Sequence, residues 1–403
     1  TVTAALGESS APFFVYRKNM SYQTARQNAA TAQAYNTLDK YFTRGREEGM
    51  ALFEQVKKLI IVDYMVYTKD MEFFPAEQKL LNPLYKAQVG GDRKTFQLHA
   101  HALRQMATQV SIPSTFVNTL RAGEDWERRE LSDLLTERFN KLDFEQRGGG
   151  GNRFMNRTVD GEVRGFMSRM YKRHITSGPI LQAFAQGCGR FGAMPASALV
   201  TDLSFTLRCF LPHVFEPADG EFIGIGCSCS SSDFGAGSLR LGLCVIRTKN
   251  GAVSYVKDTH TERHLGKADN SAEDSVELSA DTIKKQVVAK QAEVGDIVTA
   301  TLHPDRVNEF LDTIAKAMDK KISWYSLEKF LTGRLSKAEL EELQVLLEKG
   351  DVSGELPAVS QDVDGNAIAN LWWASSAISR MAENHDDYRK GDLQDVAGAL
   401  LLR

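Results

Sequence analysis

The spacing of apolar residues along the chain first follows the period of a helix. Leu52, Val56 and Leu59 recur at helical spacing, and charged residues occupy many of the positions between them. A run of β-forming residues over 63–74 is compatible with a strand. The helices predicted in this part cover 22–62, 98–110 and 125–142. The first 145 residues are therefore predicted to be mostly helical.

Further along, a period of two residues, typical of half-buried strands, replaces the helical period. Leu203, Phe205 and Leu207 alternate with Ser204 and Thr206, and the alternation returns in three later segments. The predicted strands are 203–211, 222–229, 239–246 and 253–256, joined by turns rich in Asp, Asn and Gly. They predict an antiparallel meander with an aliphatic face and a face of small residues, polar residues and arginines. Glycines on the second face would let another backbone or a helix approach closely.

The order of helices, sheet and helices predicts an α+β fold, with a central antiparallel β-meander flanked by N-terminal and C-terminal helical regions. Helical periodicity returns from Leu278 onward. The predicted division is a mainly helical N-terminal region at 1–95, an α+β core at 96–270 and a C-terminal helical region at 271–403.

Composition limits the class of protein. With 42% hydrophobic and 25% charged residues, the 403-residue chain is typical of a globular protein. No apolar run approaches the roughly 18–20 residues of a membrane span, and the first residues lack a signal-peptide pattern. No membrane partner and a cytoplasmic location are therefore expected. Five cysteines in apolar surroundings are expected to be reduced and buried: Cys188, Cys209, Cys227, Cys229 and Cys244.

Positive charge is concentrated between Arg147 and Arg190, although the whole chain has a net charge of −3. The segment opens with a tract of four glycines between two arginines, and Phe166 and Tyr171 interrupt its cations. Single-stranded nucleic acids are bound by cations on phosphates and by aromatic rings that stack on bases. Two other interpretations stay open, a solvated flexible loop for the glycine tract and a core position for Phe166.

The predicted nucleic-acid contacts form three groups. Arg147, Arg153, Arg157, Arg164, Arg169, Lys172 and Arg173 would contact phosphates, and Phe166 and Tyr171 would stack on bases. Arg208, Arg240 and Arg247 would extend the path across the sheet, since Arg208 and Arg240 project from its polar face.

Other motifs do not indicate chemistry. Gly187-x-Gly-x-x-Gly192 follows a helical run instead of a strand, so Gly187 is interpreted as a helix C-cap rather than part of a dinucleotide site. No metal or other cofactor and no catalytic residue is predicted, and enzymatic activity is not expected. One enzymatic alternative stays open, a metal-dependent nuclease or nucleotide-modifying enzyme that would use Asp202, Asp258, His260 and His264.

Three stretches resemble a family of phage- and plasmid-encoded proteins known as a domain of unknown function. They are ATQVSIPSTF at 107–116, VRGFMSRMY at 163–171 and LWWASSAISR at 371–380. Met170 stands between the arginine and tyrosine of the second motif, and Ser375 and Ser376 replace the usual aromatic residue and asparagine of the third. The resemblance implies a mobile-element origin and an α+β core. The meander with flanking helices is also similar, at the level of fold, to phage single-strand annealing proteins.

Together these features predict a phage or plasmid protein that binds nucleic acid, single-stranded DNA in particular, in recombination or replication, and that acts as an oligomer in the host cytoplasm. The alternative is a structural or assembly protein whose basic strip binds an acidic protein partner. Helices with apolar stripes and an exposed Trp372-Trp373 pair would suit that second function.

Overall fold

The computed structural model confirms the α+β class. Its described residues form three sheets and 11 helices. These residues are 22–26, 28–75, 82–145, 153–168, 171, 175–249, 253–262, 279–349, 360–361 and 367–403.

The first helix, α1 (Ala29–Lys58), confirms the helix predicted over 22–62. The side chain of Asn28 caps its N-terminus by accepting the Thr31 N–H at 2.8 Å. One face of α1 packs on β7 (Met194–Val200), where Gly45 lies against the backbone of the strand. A Cβ on Gly45 would lie 2.2 Å from the Cα of Ala196, so only glycine permits this approach.

A six-stranded mixed sheet follows, most of which the apolar pattern did not indicate. Its order is β1-β5-β6-β4-β3-β2, and β4 and β6 pair in parallel. The strands are β1 (Val62–Tyr67), β2 (Glu72–Phe74), β3 (Leu84–Val89), β4 (Asp92–Leu98), β5 (Arg153–Val159) and β6 (Glu162–Ser168). The helices α2 (Ala100–Gln109), α3 (Ser114–Ala122) and α4 (Asp125–Glu145) enclose a core with one face of this sheet.

This sheet changes the predicted organisation of the first half of the chain. The boundary proposed between residues 95 and 96 falls inside β4, and β1 to β3 lie in the region predicted to be mainly helical. Only the strand allowed over 63–74 was predicted. Apart from Leu84, the outward-facing residues of β3 and β4 are polar, and only Tyr85, Ala87, Phe96 and Leu98 are buried, so each apolar pattern is too short to be distinctive.

The second sheet contains the predicted meander strands but does not match the meander strand for strand. Its antiparallel order is β12-β11-β10-β8-β7, and β9 pairs with the beginning of β10. The remaining bounds are β8 (Phe205–Phe210), β9 (Phe215–Ala218), β10 (Glu221–Ser231), β11 (Leu239–Arg247) and β12 (Val253–Glu262). Four of these strands were predicted, whereas β7 and β9 were not.

The two faces of the second sheet differ as expected. Its aliphatic face packs with α5 (Ser177–Arg190) and α6 (Ala280–Thr301) in the largest core of the protein. All five cysteines are free and buried, which confirms that prediction. Burial raises the pKa of the Cys227 thiol, so this group is held protonated and unreactive.

The C-terminal part returns to helices, as predicted, and adds a small sheet ordered β13-β15-β14. Its last two helices lie against β12. The elements are α7 (Pro304–Asp319), β13 (Lys321–Ser323), α8 (Trp324–Leu331), α9 (Lys337–Lys349), β14 (Ser360–Gln361), β15 (Ala367–Asn370), α10 (Leu371–Ala382) and α11 (Asp387–Leu401). Among the described helices, none combines the length and the apolar character that crossing a bilayer demands.

Candidate anion-binding site

The predicted basic strip does not form one exposed surface in the described part of the chain. Arg147, Arg169, Lys172 and Arg173 lie outside the described residues. Arg153 is exposed, and its guanidinium lies over the Tyr67 ring at 4.6 Å. Arg164 is partly exposed, and its Nε is 3.2 Å from a Glu162 carboxylate oxygen.

Arg157 has a structural role that the sequence did not reveal. Its side chain is 1% exposed and donates two hydrogen bonds to the Asp63 carboxylate at 2.8 and 2.9 Å. A third bond reaches the backbone carbonyl of Asp233 at 3.0 Å. Burial alone would lower the pKa of Arg157, but its bonds to Asp63 outweigh that effect and raise it. Arg157 therefore joins the two large sheets and is not accessible to a phosphate backbone.

The two aromatic candidates are also buried. Phe166 is 1% exposed and stacks on Phe154 with ring centroids 4.6 Å apart. Tyr171 is 5% exposed and donates its hydroxyl to the carbonyl of Ser232 at 3.1 Å. Neither ring can stack on a base in this structure, and the core interpretation that was left open for Phe166 is the one observed.

Arg247 is buried in a second structural arrangement. Its guanidinium forms an ion pair with Glu221 at 2.7 Å and lies over the rings of Trp372 and Trp373 at 5.2 and 4.5 Å. Trp372 is only 2% exposed, and Trp373 is partly buried. The expectation of an exposed tryptophan pair is therefore wrong, because both rings pack on an arginine of the sheet.

Arg208 differs from Arg157 and Arg247 because it forms no ion pair with any of the described residues. It is 2% exposed, yet its Nε and Nη1 atoms have no hydrogen-bond partner among the described residues. Burial lowers the pKa of Arg208, although Asp395 and Glu383 are close enough to favour the charged form. A buried guanidinium ordinarily has a partner for each donor, because an unpaired donor costs about 1–3 kcal/mol or more when charged.

The unpaired guanidinium lines a cavity of about 210 Å³ on the polar face of the second sheet. The floor consists of two rows of residues that are partners across the strands and so share one face. Arg208 lies opposite Ser228 in the first row. Thr206, Ser230 and Arg240 form the second row. The predicted placement of Arg208 and Arg240 on this polar face is confirmed.

Arg240 is compensated where Arg208 is not. Its Nη1 lies 2.5 Å from an Asp395 carboxylate oxygen, and its guanidinium lies over the Tyr255 ring at 4.8 Å. Arg240 therefore fixes one wall of the cavity, and Arg208 carries the positive charge that has no ion-pair partner there.

Helix α11 forms the roof. Tyr388, Gly391, Asp392 and Asp395 line the cavity, and their spacing places them on one face of the helix. A Cβ added to Gly391 would meet no heavy atom within 4 Å, so this position opens directly onto free space.

The cavity has one exposed end. Its exposed lining residues are Ala236, Gly237, Tyr388 and Asp392, whereas Arg208, Ser228 and Tyr255 at the other end are buried. The strand register determines which end of the cavity is exposed. Ser231 pairs with Phe205 at the end of the strands that leads into the 232–238 loop. The mouth therefore lies between that loop and the start of α11.

A polar network holds the roof at the mouth. The Tyr388 hydroxyl donates to Asp202, whose other carboxylate oxygen lies 2.7 Å from Nε2 of His99. The Nδ1 of His99 accepts the His101 N–H at 3.1 Å, so the ring proton is on Nε2 and faces Asp202. Burial alone would raise the pKa of Asp202, but the bonds from Tyr388 and His99 outweigh it and lower the pKa. This network connects α11 to both large sheets.

The nuclease alternative required residues that the described structure does not bring together. Asp202 follows β7, at one edge of the second sheet, and His260 lies on β12, at the opposite edge. The side chain of Asp258 and the whole of His264 lie outside the described residues. His260 instead clusters with Glu262 and Glu293, and the ammonium of Lys290 binds both carboxylates. Because Lys290 already supplies the positive charge, this cluster is an ion-pair network.

The glycine motif at 187–192 has a packing role. Helix α5 continues past Gly187 to Arg190, so the prediction that Gly187 is the C-cap is wrong. Gly192, with φ +70°, takes the left-handed conformation just after the helix. A Cβ on Gly187 would lie 3.1 Å from the Cβ of Val298, so this glycine lets α5 pack closely on α6.

The sequence did not predict that α11 covers the cavity, and it did not assign a site to the serines on the cavity floor. The serines at 228–232 and the residues of α11 were not predicted from the sequence to belong to a site. The spacing of Tyr388, Gly391, Asp392 and Asp395 was the available signal. Comparisons with protein-family models, curated proteins and solved structures find no match to this chain. The resemblance to the phage and plasmid family therefore stays a prediction.

Proposed function

We propose that this protein binds a phosphate-bearing ligand, a nucleotide or a nucleic acid, through the cavity at Arg208. The observation that carries the proposal is a buried guanidinium with no ion pair and with two donors that have no hydrogen-bond partner among the described residues. A bound anion would supply the missing acceptors. Charge-assisted hydrogen bonds of this kind are about twice as strong as neutral ones.

The charge distribution favours an anion at the deep end. Asp395 is paired with Arg240, and the side chain of Asp392 is 71% exposed at the mouth. Among the described residues, Arg208 is therefore the charge without an ion-pair partner in the buried half of the cavity. The hydroxyl-bearing residues Ser228, Ser230 and Thr206 stand on the same floor. Hydroxyl and guanidinium donors around one point match the several acceptor oxygens of a phosphate group.

This proposal retains the nucleic-acid function expected from the sequence and changes its location. Contact would occur at the Arg208 cavity, since Arg157 and Arg247 are held in buried ion pairs. The proposal also includes action on single-stranded DNA, self-association, a mobile-element origin and a cytoplasmic location. The assembly-protein alternative loses one of its supports, because Trp372 is buried.

Isothermal titration calorimetry with adenosine monophosphate and with inorganic phosphate, at low and high salt, tests the proposal. Wild-type protein should bind one equivalent at low salt and more weakly at high salt, because ionic contacts are screened. Arg208→Met should abolish binding. Arg153→Ala is the matched control, since it removes an exposed arginine of the predicted strip, and its affinity should equal that of the wild type.

Two outcomes would overturn the proposal. One is wild-type protein that binds neither ligand at low salt. The other is Arg208→Met protein that is folded by circular dichroism and binds as tightly as the wild type. If Arg153→Ala removes binding and Arg208→Met does not, the strip predicted from the sequence is the site instead.

A further inference from the structure

The shape of the cavity narrows the class of ligand beyond an anion. The buried end contains Arg208, Ser228 and Tyr255, and the exposed lining residues are confined to the opposite end. The most exposed lining residues mark that end as the entrance for a ligand. The volume of the cavity, about 210 Å³, is below the 300–1,000 Å³ typical of sites that enclose a whole drug-sized ligand. The remainder of a larger ligand must lie outside the mouth.

Entry through the exposed end distinguishes two forms of phosphate. A phosphodiester inside a strand has a substituent on each side, so two chain segments would have to pass through the mouth together. A phosphate monoester has one substituent, and its other three oxygens are free to accept hydrogen bonds. The buried donors of Arg208 and the hydroxyl of Ser228 lie side by side on the floor, where those oxygens would be bound.

We infer that the cavity recognises a terminal phosphate monoester, the phosphorylated end of a single strand or a free mononucleotide, rather than the interior of a strand. This inference rests on the proposed function and specifies its substrate class. The cavity of about 210 Å³ has room for a terminal phosphate and the sugar attached to it, and a base would lie at the mouth or outside it.

Fluorescence anisotropy or competition with one short single-stranded DNA sequence in four forms tests this inference. The forms carry a 5′-phosphate, a 3′-phosphate, hydroxyls at both ends, or no ends because the strand is circular. One of the two phosphorylated forms should bind about tenfold or more tightly than the hydroxyl form, a difference of about 1.4 kcal/mol. The circular form should not exceed the hydroxyl form.

Two variants assign any preference to the cavity. Arg208→Met should remove the advantage of the phosphorylated end. Gly391→Leu should do the same while leaving the arginine in place, because its side chain would extend from the roof into the free space beside Gly391. Arg153→Ala, outside the cavity, should retain the full preference.

The two proposals fail in distinguishable ways. If adenosine monophosphate does not bind, the proposed function fails. If adenosine monophosphate binds through Arg208 but all four strands bind equally, the proposed function stands and the terminal-phosphate inference is overturned. A preference for phosphorylated ends that survives both Arg208→Met and Gly391→Leu would also overturn the inference, because recognition would then lie elsewhere.

Discussion

Replacing Arg208 with methionine should stabilise the protein while it destroys the proposed site. In the free protein this guanidinium is 2% exposed, and two of its donors have no hydrogen-bond partner in the part of the chain that the structure describes. Water solvates the same group fully in the unfolded chain, so folding loses hydration that nothing in the cavity floor replaces. Methionine has no charge to desolvate, and its flexible side chain fills a similar space.

The size of the effect follows from opposing contributions. Replacement of buried ionic groups by apolar residues of similar volume is often neutral or stabilising by about 1–4 kcal/mol. Asp395 and Glu383 partly favour the charge on Arg208, which places the expected gain in the lower half of that range. Methionine is also smaller than arginine, and the space left costs about 1 kcal/mol. The free energy of unfolding should therefore rise by up to about 1.5 kcal/mol.

The matched control is Arg247→Met on the same sheet. Arg247 is also 2% exposed, but its guanidinium is paired with the buried carboxylate of Glu221. Without Arg247, the partners that remain for the Glu221 carboxylate are the Lys249 ammonium at 3.4 Å and the Trp372 ring N–H at 3.1 Å. Arg247→Met should therefore lower the free energy of unfolding by about 3 kcal/mol. Two arginines of equal burial should thus respond with opposite signs.

Urea unfolding followed by circular dichroism, without and with adenosine monophosphate, measures both effects. Ligand at a hundred times its Kd should stabilise the wild type by about 2.7 kcal/mol and leave Arg208→Met unchanged. The reasoning is refuted if Arg208→Met loses more than about 1 kcal/mol, since the guanidinium would then have a structural partner. It is also refuted if the ligand stabilises both proteins equally.

Three further predictions concern the scaffold. Asp63→Asn should lower the free energy of unfolding measured in urea by about 3–5 kcal/mol, because Arg157 keeps its charge and loses its carboxylate partner. A smaller loss in the Asp63→Asn, Arg157→Met double variant would confirm that cause. Gly45→Ala should lower the melting temperature measured by scanning calorimetry, because the new Cβ would overlap the backbone of β7; an unchanged melting temperature would contradict that packing. The hydrogen bonds from Arg389 lower the pKa of Glu339 to about 2, so the stabilisation they give is full above the ordinary pKa of 4.5 and is lost as the pH falls through about 2. A series of unfolding measurements across that range should show the loss in the wild type and not in Glu339→Gln.

The sequence predicted the parts of this fold whose signals are local. The helical spacing in α1 and the alternation in β8, β10 and β11 are set by neighbours along the chain, and these elements were found. The first sheet depends on distant pairing instead. Leu98 of β4 pairs with Val163 of β6, and nothing within either strand specifies the other. Contacts of that kind cannot be inferred from periodicity.

The candidate site shows the same limit at the level of side chains. Arg208 and Arg240 were assigned to the polar face because alternation fixes the face of each residue in a strand. Arg157 had a similar local setting, yet its carboxylate partner lies 94 residues earlier in the chain, and that partner decides its role. Whether a cation is free or paired therefore depends on tertiary contacts, and so does the roof that α11 supplies.

The position of the roof in the chain has a consequence for motion. Arg240 and Asp395 are 155 residues apart, so the cavity is closed only while α11 is docked on the sheet. When α11 moves away, water reaches Arg208 and the guanidinium regains its hydration. The unpaired charge thus lowers the free energy of opening for this one helix, and a bound phosphate removes that advantage of the open state. Amide hydrogen exchange in α11 should therefore be fast in the free protein and slow in the complex, with little change in α1.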